Sequence, residues 1–306
     1  MIEKAHSPLG PSSAERWLNC TASVRATEGV AESPSRYAAE GTVAHAIAEE
    51  SFATGTPPQM FLGQVRQCDG FDIEVDKEMV EGVHFFLDHM NDLPVGEDFN
   101  ESRVSYEHYV SGGFGTMDRA RVAGDTVYIR DLKYGKGVQV FATDNAQLKL
   151  YALGWYLTYG WLYDGIKKFN LGVVQPRLDH VDEWSISLDD LLKWAEYVAL
   201  KAIQTETEDA VFVAGDHCRF CRIRSTCTTR AEAVFNTVLE DFGTIDNAIE
   251  QTKTLTRSQN MTNEQVAKAL YGLPQIRAWC KDLEAHAMAQ VQHNQGFVYA
   301  GAALNL

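Results

Sequence analysis

Two carboxylates and an amine lie at spacings that suit metal-dependent hydrolysis. Asp118 belongs to the run GTMDRARVAG, and Asp131 and Lys133 belong to the run TVYIRDLKYG. Because side chains alternate along a β-strand, Asp131 and Lys133 share one face. A hairpin turn at Gly124 and Asp125 would place Asp118 and Asp131 opposite each other, equally far from the turn. Such carboxylates could hold Mg²⁺ or Mn²⁺, and the lysine could orient or deprotonate a water or stabilise transition-state charge.

Solvated charges on the open face of an antiparallel sheet would explain the same residues, since D-x-K is a short pattern. Three further features favour a site. GTMD places a glycine and a small residue before Asp118, as close approach of the backbone to a ligand would need. Gln147 and Tyr151, four residues apart, share a face of a predicted helix. His45 offers a nitrogen ligand that would help Mn²⁺ compete with Mg²⁺, although a lone helical histidine is often structural.

Cysteines form the second candidate site. The run CRFCRIRSTC spaces Cys218, Cys221 and Cys227 as C-x2-C-x5-C, which leaves a tetrahedral four-thiolate site one ligand short. Four-cysteine sites hold either Zn²⁺ or an iron–sulfur cluster, and the spacing does not separate the two. Cys68, in the polar loop RQCDG, and Cys280, in an apolar helix where a buried thiol is ordinary, are interpreted as non-ligands.

Net charge limits where a nucleic acid could bind. The chain has 27 Lys and Arg against 42 Asp and Glu, a formal net charge of −15, which argues against nucleic-acid binding over the whole surface. Arg219, Arg222 and Arg224 interleave with the cysteine run and predict a local basic patch for DNA phosphates. Balancing the acidic helices nearby would explain the same arginines.

The periodicity of the apolar residues predicts the elements that would position these side chains. A helix carries His45, an acidic helix follows, and three antiparallel strands then contain Asp118 and the run DLK. A helix over about 144–158 with Asp144 as N-cap, one or two short strands and a long helix over about 188–208 come next. This order predicts an α/β fold.

Nothing in the sequence predicts a membrane protein. No stretch of about 18 apolar residues could cross a bilayer, and the N-terminus lacks the apolar core of a signal peptide, so a cytoplasmic location is expected. Residues 231–306 are predicted to be mostly helical, with Asn263 as a helix cap and with Pro274 interrupting or kinking the helix.

Four short motifs occur in the order found in a known group of enzymes. GTVAH ends at His45, GTMD ends at Asp118, DLK covers 131–133 and QLKLY covers 147–151. In this order they resemble the motifs of RecB-like PD-(D/E)XK nucleases, with methionine where the signature has proline. The cysteines resemble those of the iron–sulfur members, which include CRISPR-associated exonucleases and AddB-type subunits. More narrowly, the chain resembles a family of phage and prophage proteins whose shared domain has no assigned function.

The resemblance implies a fold and a set of roles. It implies a restriction-endonuclease-like core, a mixed central sheet flanked by helices, in residues 1–230, with a helical extension in residues 231–306. It assigns the binding of the catalytic Mg²⁺ or Mn²⁺ to four groups: His45, Asp118, Asp131 and the Leu132 carbonyl. Lys133 becomes the catalytic lysine, and Gln147 and Tyr151 position the scissile phosphate or the DNA strand.

The resemblance also supplies a fourth cysteine. In the iron–sulfur members one cysteine precedes the nuclease core and three follow it, so Cys20 would join Cys218, Cys221 and Cys227 around a [4Fe-4S] cluster. This clasp would close a loop of about 200 residues and so restrict the unfolded chain. A structural Zn²⁺ is the alternative.

Three hypotheses about function follow. The first is a metal-dependent DNA exonuclease that prefers single strands or duplex ends and acts in phage recombination or replication, in the host cytoplasm. The second is a catalytically weak, nuclease-like protein that binds DNA or recruits a phage single-strand annealing or replication protein. The third is a redox-sensing protein in which the iron–sulfur cluster is the functional centre.

Overall fold

A computed structural model describes residues 7–31, 34–242, 263–292, 298–299 and 302–303. The chain divides into a first unit, residues 1–18 and 32–209, and a second unit, residues 19–31 and 210–306. This division differs from the boundary predicted at residue 230. The segment around Cys20 pairs with residues beyond 209, since the Ala22 amide donates to the Val211 carbonyl at 3.1 Å and the Val211 amide donates to Thr21 Oγ1 at 3.0 Å.

Helices and strands alternate along the described chain. The helices are α1 (Ala14–Asn19), α2 (Ser23–Ala26), α3 (Arg36–Thr54), α4 (Lys77–Asn91), α5 (Ala146–Tyr159), α6 (Leu188–Glu206), α7 (Thr228–Phe242) and α8 (Asn263–Gln292). The strands are β1 (Val65–Cys68), β2 (Phe71–Glu74), β3 (Glu97–Ser105), β4 (Phe114–Ala123), β5 (Thr126–Leu132), β6 (Lys168–Gln175), β7 (His180–Ser187), β8 (Val298–Tyr299) and β9 (Ala302–Ala303). No helix in the described part of the chain combines the length and apolarity needed to span a bilayer.

The first unit is built around a five-stranded mixed sheet of order β3-β4-β5-β6-β7. All neighbours are antiparallel except β5 and β6, whose parallel pairing requires the crossover that contains α5. Leu132 packs in the apolar cluster with α3 and α4, whereas Asp131 contacts Gln147 of α5. Because neighbouring residues of a strand face opposite sides, helices cover both faces of the sheet. The predicted α/β core with a mixed sheet flanked by helices is therefore confirmed.

The turn between β4 and β5 sets the register of the site. Gly124 has φ 61°, a left-handed conformation that glycine adopts without steric cost, and Ala123 pairs with Thr126. The ladder extends to the pair Arg119 and Arg130. Asp118 and Asp131 are the next positions, so the predicted equal distance from the turn is confirmed.

Several local predictions need correction. Cys68 ends β1 of a hairpin rather than lying in a loop. The N-cap of α5 is Asn145, which accepts from the Leu148 amide, because the Asp144 carboxylate is ion-paired with Lys149. α8 runs from Asn263 to Gln292 with Pro274 inside it, so the proline does not interrupt the helix, and the predicted kink stays a prediction. Cys280 on that helix is exposed rather than buried.

Candidate active site

The site of the first unit begins where β4 and β5 stop pairing. Asp118 and Asp131 lie just beyond the last strand pair, so their side chains meet where the two backbones separate. Asp118 Oδ2 accepts a hydrogen bond of 2.8 Å from the Leu132 amide. The Asp118 carboxylate thus accepts from a backbone amide at the end of β5, and this hydrogen bond fixes the direction of the carboxylate.

A polar network connects β5 to α5. Lys133 Nζ lies 2.8 Å from Asp131 Oδ2 as an ion pair without hydrogen-bond geometry, and it donates to Gln147 Oε1 at 2.9 Å. Gln147 Nε2 lies 3.0 Å from Asp131 Oδ1 and 3.1 Å from the Tyr151 hydroxyl oxygen. Gln147 and Tyr151 share one helix face, as predicted, and Gln147 contacts both Asp131 and Lys133.

His45 completes the predicted set from α3. Its Nδ1 lies 3.3 Å from Asp118 Oδ1. Burial of the imidazole opposes protonation, but the Asp118 carboxylate outweighs burial and raises the pKa of His45 to about 9. Burial would raise the pKa of Asp118, but His45 lowers it.

The second charged pair behaves differently. Burial raises the pKa of Asp131 even though Lys133 opposes the rise. Burial would lower the pKa of Lys133, but the Asp131 carboxylate outweighs this effect and raises it. Lys133 is therefore held as an ammonium beside a buried carboxylate.

Glu101 is a further candidate that the motifs did not identify. One ligand atom from each of His45, Glu101 and Asp118 lies within 4.8 Å of the other two. In the register of β3 and β4, Glu101 stands opposite Asp118, between the pairs formed by Asn100 and Ser102. No sequence signal identified Glu101, because no two-residue turn sets the register of β3 against β4.

A shallow cleft opens beside this group. Its lining includes His45, Glu101, Asp118 and Arg119. Arg119 is 3% exposed, and its guanidinium carbon lies 3.1 Å from the centroid of the Phe52 ring. Its Nη2 atom lies 3.5 Å from Asp98 Oδ2 as an ion pair, while its Nε and Nη1 atoms are buried and have no hydrogen-bond partner among the described residues. The cleft thus places possible cation ligands beside a guanidinium that already has a carboxylate partner.

The glycine of GTMD has a different role from the predicted approach of backbone to ligand. A Cβ at Gly115 would lie 2.5 Å from Pro11 Cγ and 3.2 Å from Tyr151 Cε1. The missing side chain therefore admits the Pro11 ring next to the tyrosine of the polar network.

A comparison with known families covers nearly the whole chain. The model described as "Protein of unknown function (DUF2800)" matches residues 6–302. The chain belongs to the DUF2800 family. This agrees with the narrower of the two resemblances, to a family without an assigned function. The match spans residues of both units of this DUF2800 protein.

The second unit of the DUF2800 chain contains all four predicted cluster cysteines. Cys20 and Cys218 are buried, and His217, whose Nε2 lies 2.9 Å from the Val213 carbonyl oxygen, neighbours both thiols. The Val213 amide also donates to Cys20 Sγ at 3.4 Å. Burial would raise the pKa of the Cys20 and Cys218 thiols, but the His217 hydrogen bond contributes to lowering both.

The four cysteines do not form a single-ion site. Cys221 is buried and Cys227 is half-buried, but no three cysteine sulfurs of the described chain lie within 4.8 Å of one another. The described residues thus bring Cys20 and Cys218 to one histidine but do not show the predicted clasp. Thiolates that bind separate irons of a cluster need not be as close as those around one zinc ion.

The three arginines predicted to bind DNA have contacts within the second unit. Arg224 Nε lies 3.1 Å from Asp282 Oδ1, and Arg222 Nη1 donates to the Val30 carbonyl at 3.3 Å. Arg219 lies near the Phe220 ring. For Arg224 the contact is the one expected from the alternative interpretation, in which the arginines balance acidic residues.

Proposed function

We propose that the first unit of this DUF2800 protein is a metal-dependent deoxyribonuclease of the PD-(D/E)XK type that hydrolyses phosphodiester bonds at DNA ends. The observation that carries the proposal is the convergence of Asp118, Asp131, Lys133 and His45 where β4 and β5 separate. These residues come from three elements and belong to motifs with the order expected of such nucleases.

The donor set fits a divalent cation. His45, Asp118 and Asp131 supply one nitrogen and several carboxylate oxygens, which suit Mg²⁺ and, through the imidazole, Mn²⁺. The Leu132 carbonyl is assigned as a further ligand by the resemblance. When bound, the ion would supply Lewis-acid stabilisation of the phosphate and lower the pKa of an attacking water.

Lys133 stabilises charge in this proposal and does not remove a proton. Its ammonium is ion-paired with Asp131 at 2.8 Å, and a protonated amine has no lone pair to accept a proton. Gln147 accepts from the same ammonium, so it limits the directions in which Nζ points. The lysine is thus held ready to meet the charge that develops on the phosphate oxygens.

The test compares site variants with surface variants. We expect Asp131→Asn and Lys133→Met each to lower Mg²⁺- or Mn²⁺-dependent cleavage of end-labelled single- and double-stranded DNA by about 100-fold or more. Asp88→Asn and Lys77→Met, which change exposed side chains of α4, should retain activity. Circular dichroism checks that all four variants fold. Full activity in either site variant would refute the proposal.

We further propose that Cys20, Cys218, Cys221 and Cys227 bind a [4Fe-4S] cluster. The support is that residues 19–31 and 210–306 belong to one unit and that His217 favours the thiolate form of two of the cysteines. Protein purified without oxygen should be brown and contain iron and sulfide, and Cys20→Ser should lose both while Cys280→Ser keeps them. Zinc in place of iron in the wild-type protein would refute this assignment.

A further inference from the structure

The strand pair β3–β4 continues past the site as a two-stranded extension. β5 leaves β4 beside Asp118, whereas β3 and β4 stay paired as far as Ser105 and Phe114. Arg103 of β3 and Thr116 of β4 form a directly opposed pair on this extension. We propose that Arg103 and Thr116 bind a backbone phosphate of the DNA strand, next to the phosphate that is cleaved. The inference rests on the proposed function, because it takes DNA as the substrate.

The pair lies close to the site along both strands. Thr116 precedes Asp118 by two residues, and Arg103 follows Glu101, which stands opposite Asp118, by two residues. Two residues of a β-strand span about 7 Å. One DNA strand bound at Asp118 can therefore also contact the pair.

The Arg103 side chain lies on the cleft side of the sheet. Val104 faces α5, since a Cβ at Gly154 of that helix would lie 2.9 Å from Val104 Cγ2. Neighbouring residues of a strand face opposite sides, so Arg103 points away from α5. The cleft, which is lined by residues of α3 together with Glu101, lies on that same side. Directly opposed residues of an antiparallel pair share a face, which places Thr116 beside Arg103.

Arg103 is an exposed cation without a carboxylate partner. It forms no ion pair with the described residues, and its guanidinium carbon lies 3.9 Å from the centroid of the Phe114 ring. A guanidinium stacked on an aromatic ring keeps its N–H groups open to an anion. By contrast, ion pairs hold most other lysines and arginines of the described first unit, among them Arg119, Arg121, Arg130, Lys133, Lys136 and Arg177.

Thr116 adds an uncharged donor beside this guanidinium. It is half-buried, and its hydroxyl forms no hydrogen bond with the described residues. Phosphate oxygens accept from arginine and threonine side chains alike, and such contacts position a strand without reading its sequence. The combination of Arg103 and Thr116 therefore favours the DNA backbone as the ligand.

The experiment measures binding of the full-length chain to a fluorescein-labelled oligothymidylate by anisotropy, over a range of salt concentrations. Ca²⁺ replaces Mg²⁺ and Mn²⁺, and a denaturing gel verifies that the probe stays intact. Arg103→Gln should weaken binding about tenfold. It should also lower the slope of log K against log salt by about 0.7, the share of one phosphate contact on a single strand. Arg103→Lys, which keeps the charge, should retain the slope. Thr116→Val should weaken binding about threefold without changing the slope, because no charge is lost.

The matched control is Lys201→Gln. Lys201 of α6 also forms no ion pair with the described residues, and its Nζ lies 5.7 Å from the centroid of the Tyr197 ring. Its replacement changes the net charge by the same amount away from the site, so affinity and slope should match those of the wild-type protein. Circular dichroism checks that every variant folds.

The outcomes separate this inference from the proposed function. Equal affinity and slope in Arg103→Gln and Lys201→Gln overturn the phosphate contact even if the protein cleaves DNA. A loss of slope specific to Arg103→Gln, in a protein that cleaves no DNA with Mg²⁺ or Mn²⁺, upholds the contact and refutes the nuclease. A wild-type protein that does not bind the oligothymidylate overturns the contact, while the cleavage assay still decides on the nuclease.

Discussion

The buried pair of Lys133 and Asp131 should contribute to stability as well as to activity. Its atoms lie 2.8 Å apart, and its side chains are 29% and 3% exposed. At an effective dielectric constant of about 20, Coulomb's law gives roughly 6 kcal/mol for unit charges at this distance. Part of this is offset by the cost of removing both charges from water. Lys133→Met, which leaves the Asp131 carboxylate buried without its cation, should therefore destabilise the protein by about 3–4 kcal/mol.

A double-mutant cycle isolates the pair. Asp131→Asn removes one charge while keeping the shape, and Asp131→Asn combined with Lys133→Met removes both charges. We expect a coupling energy of about 2 kcal/mol or more from urea unfolding followed by circular dichroism. The matched control is the pair Lys193 and Asp190, which is 2.9 Å apart but 76% and 63% exposed. Its coupling should be about 0.5 kcal/mol or less.

The pH dependence gives a second check on the same variant. Burial raises the pKa of Asp131 in the folded protein, and loss of the Lys133 ammonium should raise that pKa further. A carboxyl whose pKa is raised in the folded protein favours the folded state when it is protonated. The loss of stability caused by Lys133→Met should therefore shrink as the pH falls toward about 5. A loss of stability that does not depend on pH, or a coupling energy as small as that of Lys193 and Asp190, would refute the electrostatic reasoning.

Two further predictions concern buried basic side chains in the first unit. Burial lowers the pKa of His89, and the neighbouring Arg130 guanidinium lowers it further. Below about pH 6.5 the unfolded chain therefore takes up a proton before the folded one does, so the free energy of unfolding decreases as the pH falls. His89→Gln should reduce this loss between about pH 7.5 and 5.5 in urea unfolding, and an unchanged pH dependence would count against it. Arg119→Met removes the ion pair with Asp98 and the contact with the Phe52 ring, so it should lower the free energy of unfolding by about 1–3 kcal/mol while it weakens DNA binding about tenfold or more; equal weakening of DNA binding in a Lys77→Met control would contradict this.

Sequence patterns were sufficient for the part of the site that depends on local geometry. The alternation of side chains and the short turn at Gly124 fix the register of β4 against β5, so the opposition of Asp118 and Asp131 follows from the sequence. Helical spacing likewise places Gln147 and Tyr151 on one face. Glu101 needed the register across the longer connection between β3 and β4, which no two-residue turn fixes.

The pairing of the segment around Cys20 with residues beyond 209 was not predictable for a related reason. The hydrogen bonds between Ala22 and Val211 and between Thr21 and Val211 join residues nearly 190 positions apart, and local periodicity carries no information about such pairs. Residues 32–209 are therefore inserted, in chain order, between the two segments of the second unit, residues 19–31 and 210–306. Any group that bound Cys20 and Cys218 together would close the same long loop a second time. Because the backbone contacts leave only a short loop between Cys20 and Cys218, the second closure costs less chain entropy than the first, and these contacts prepare the cysteines for a shared ligand.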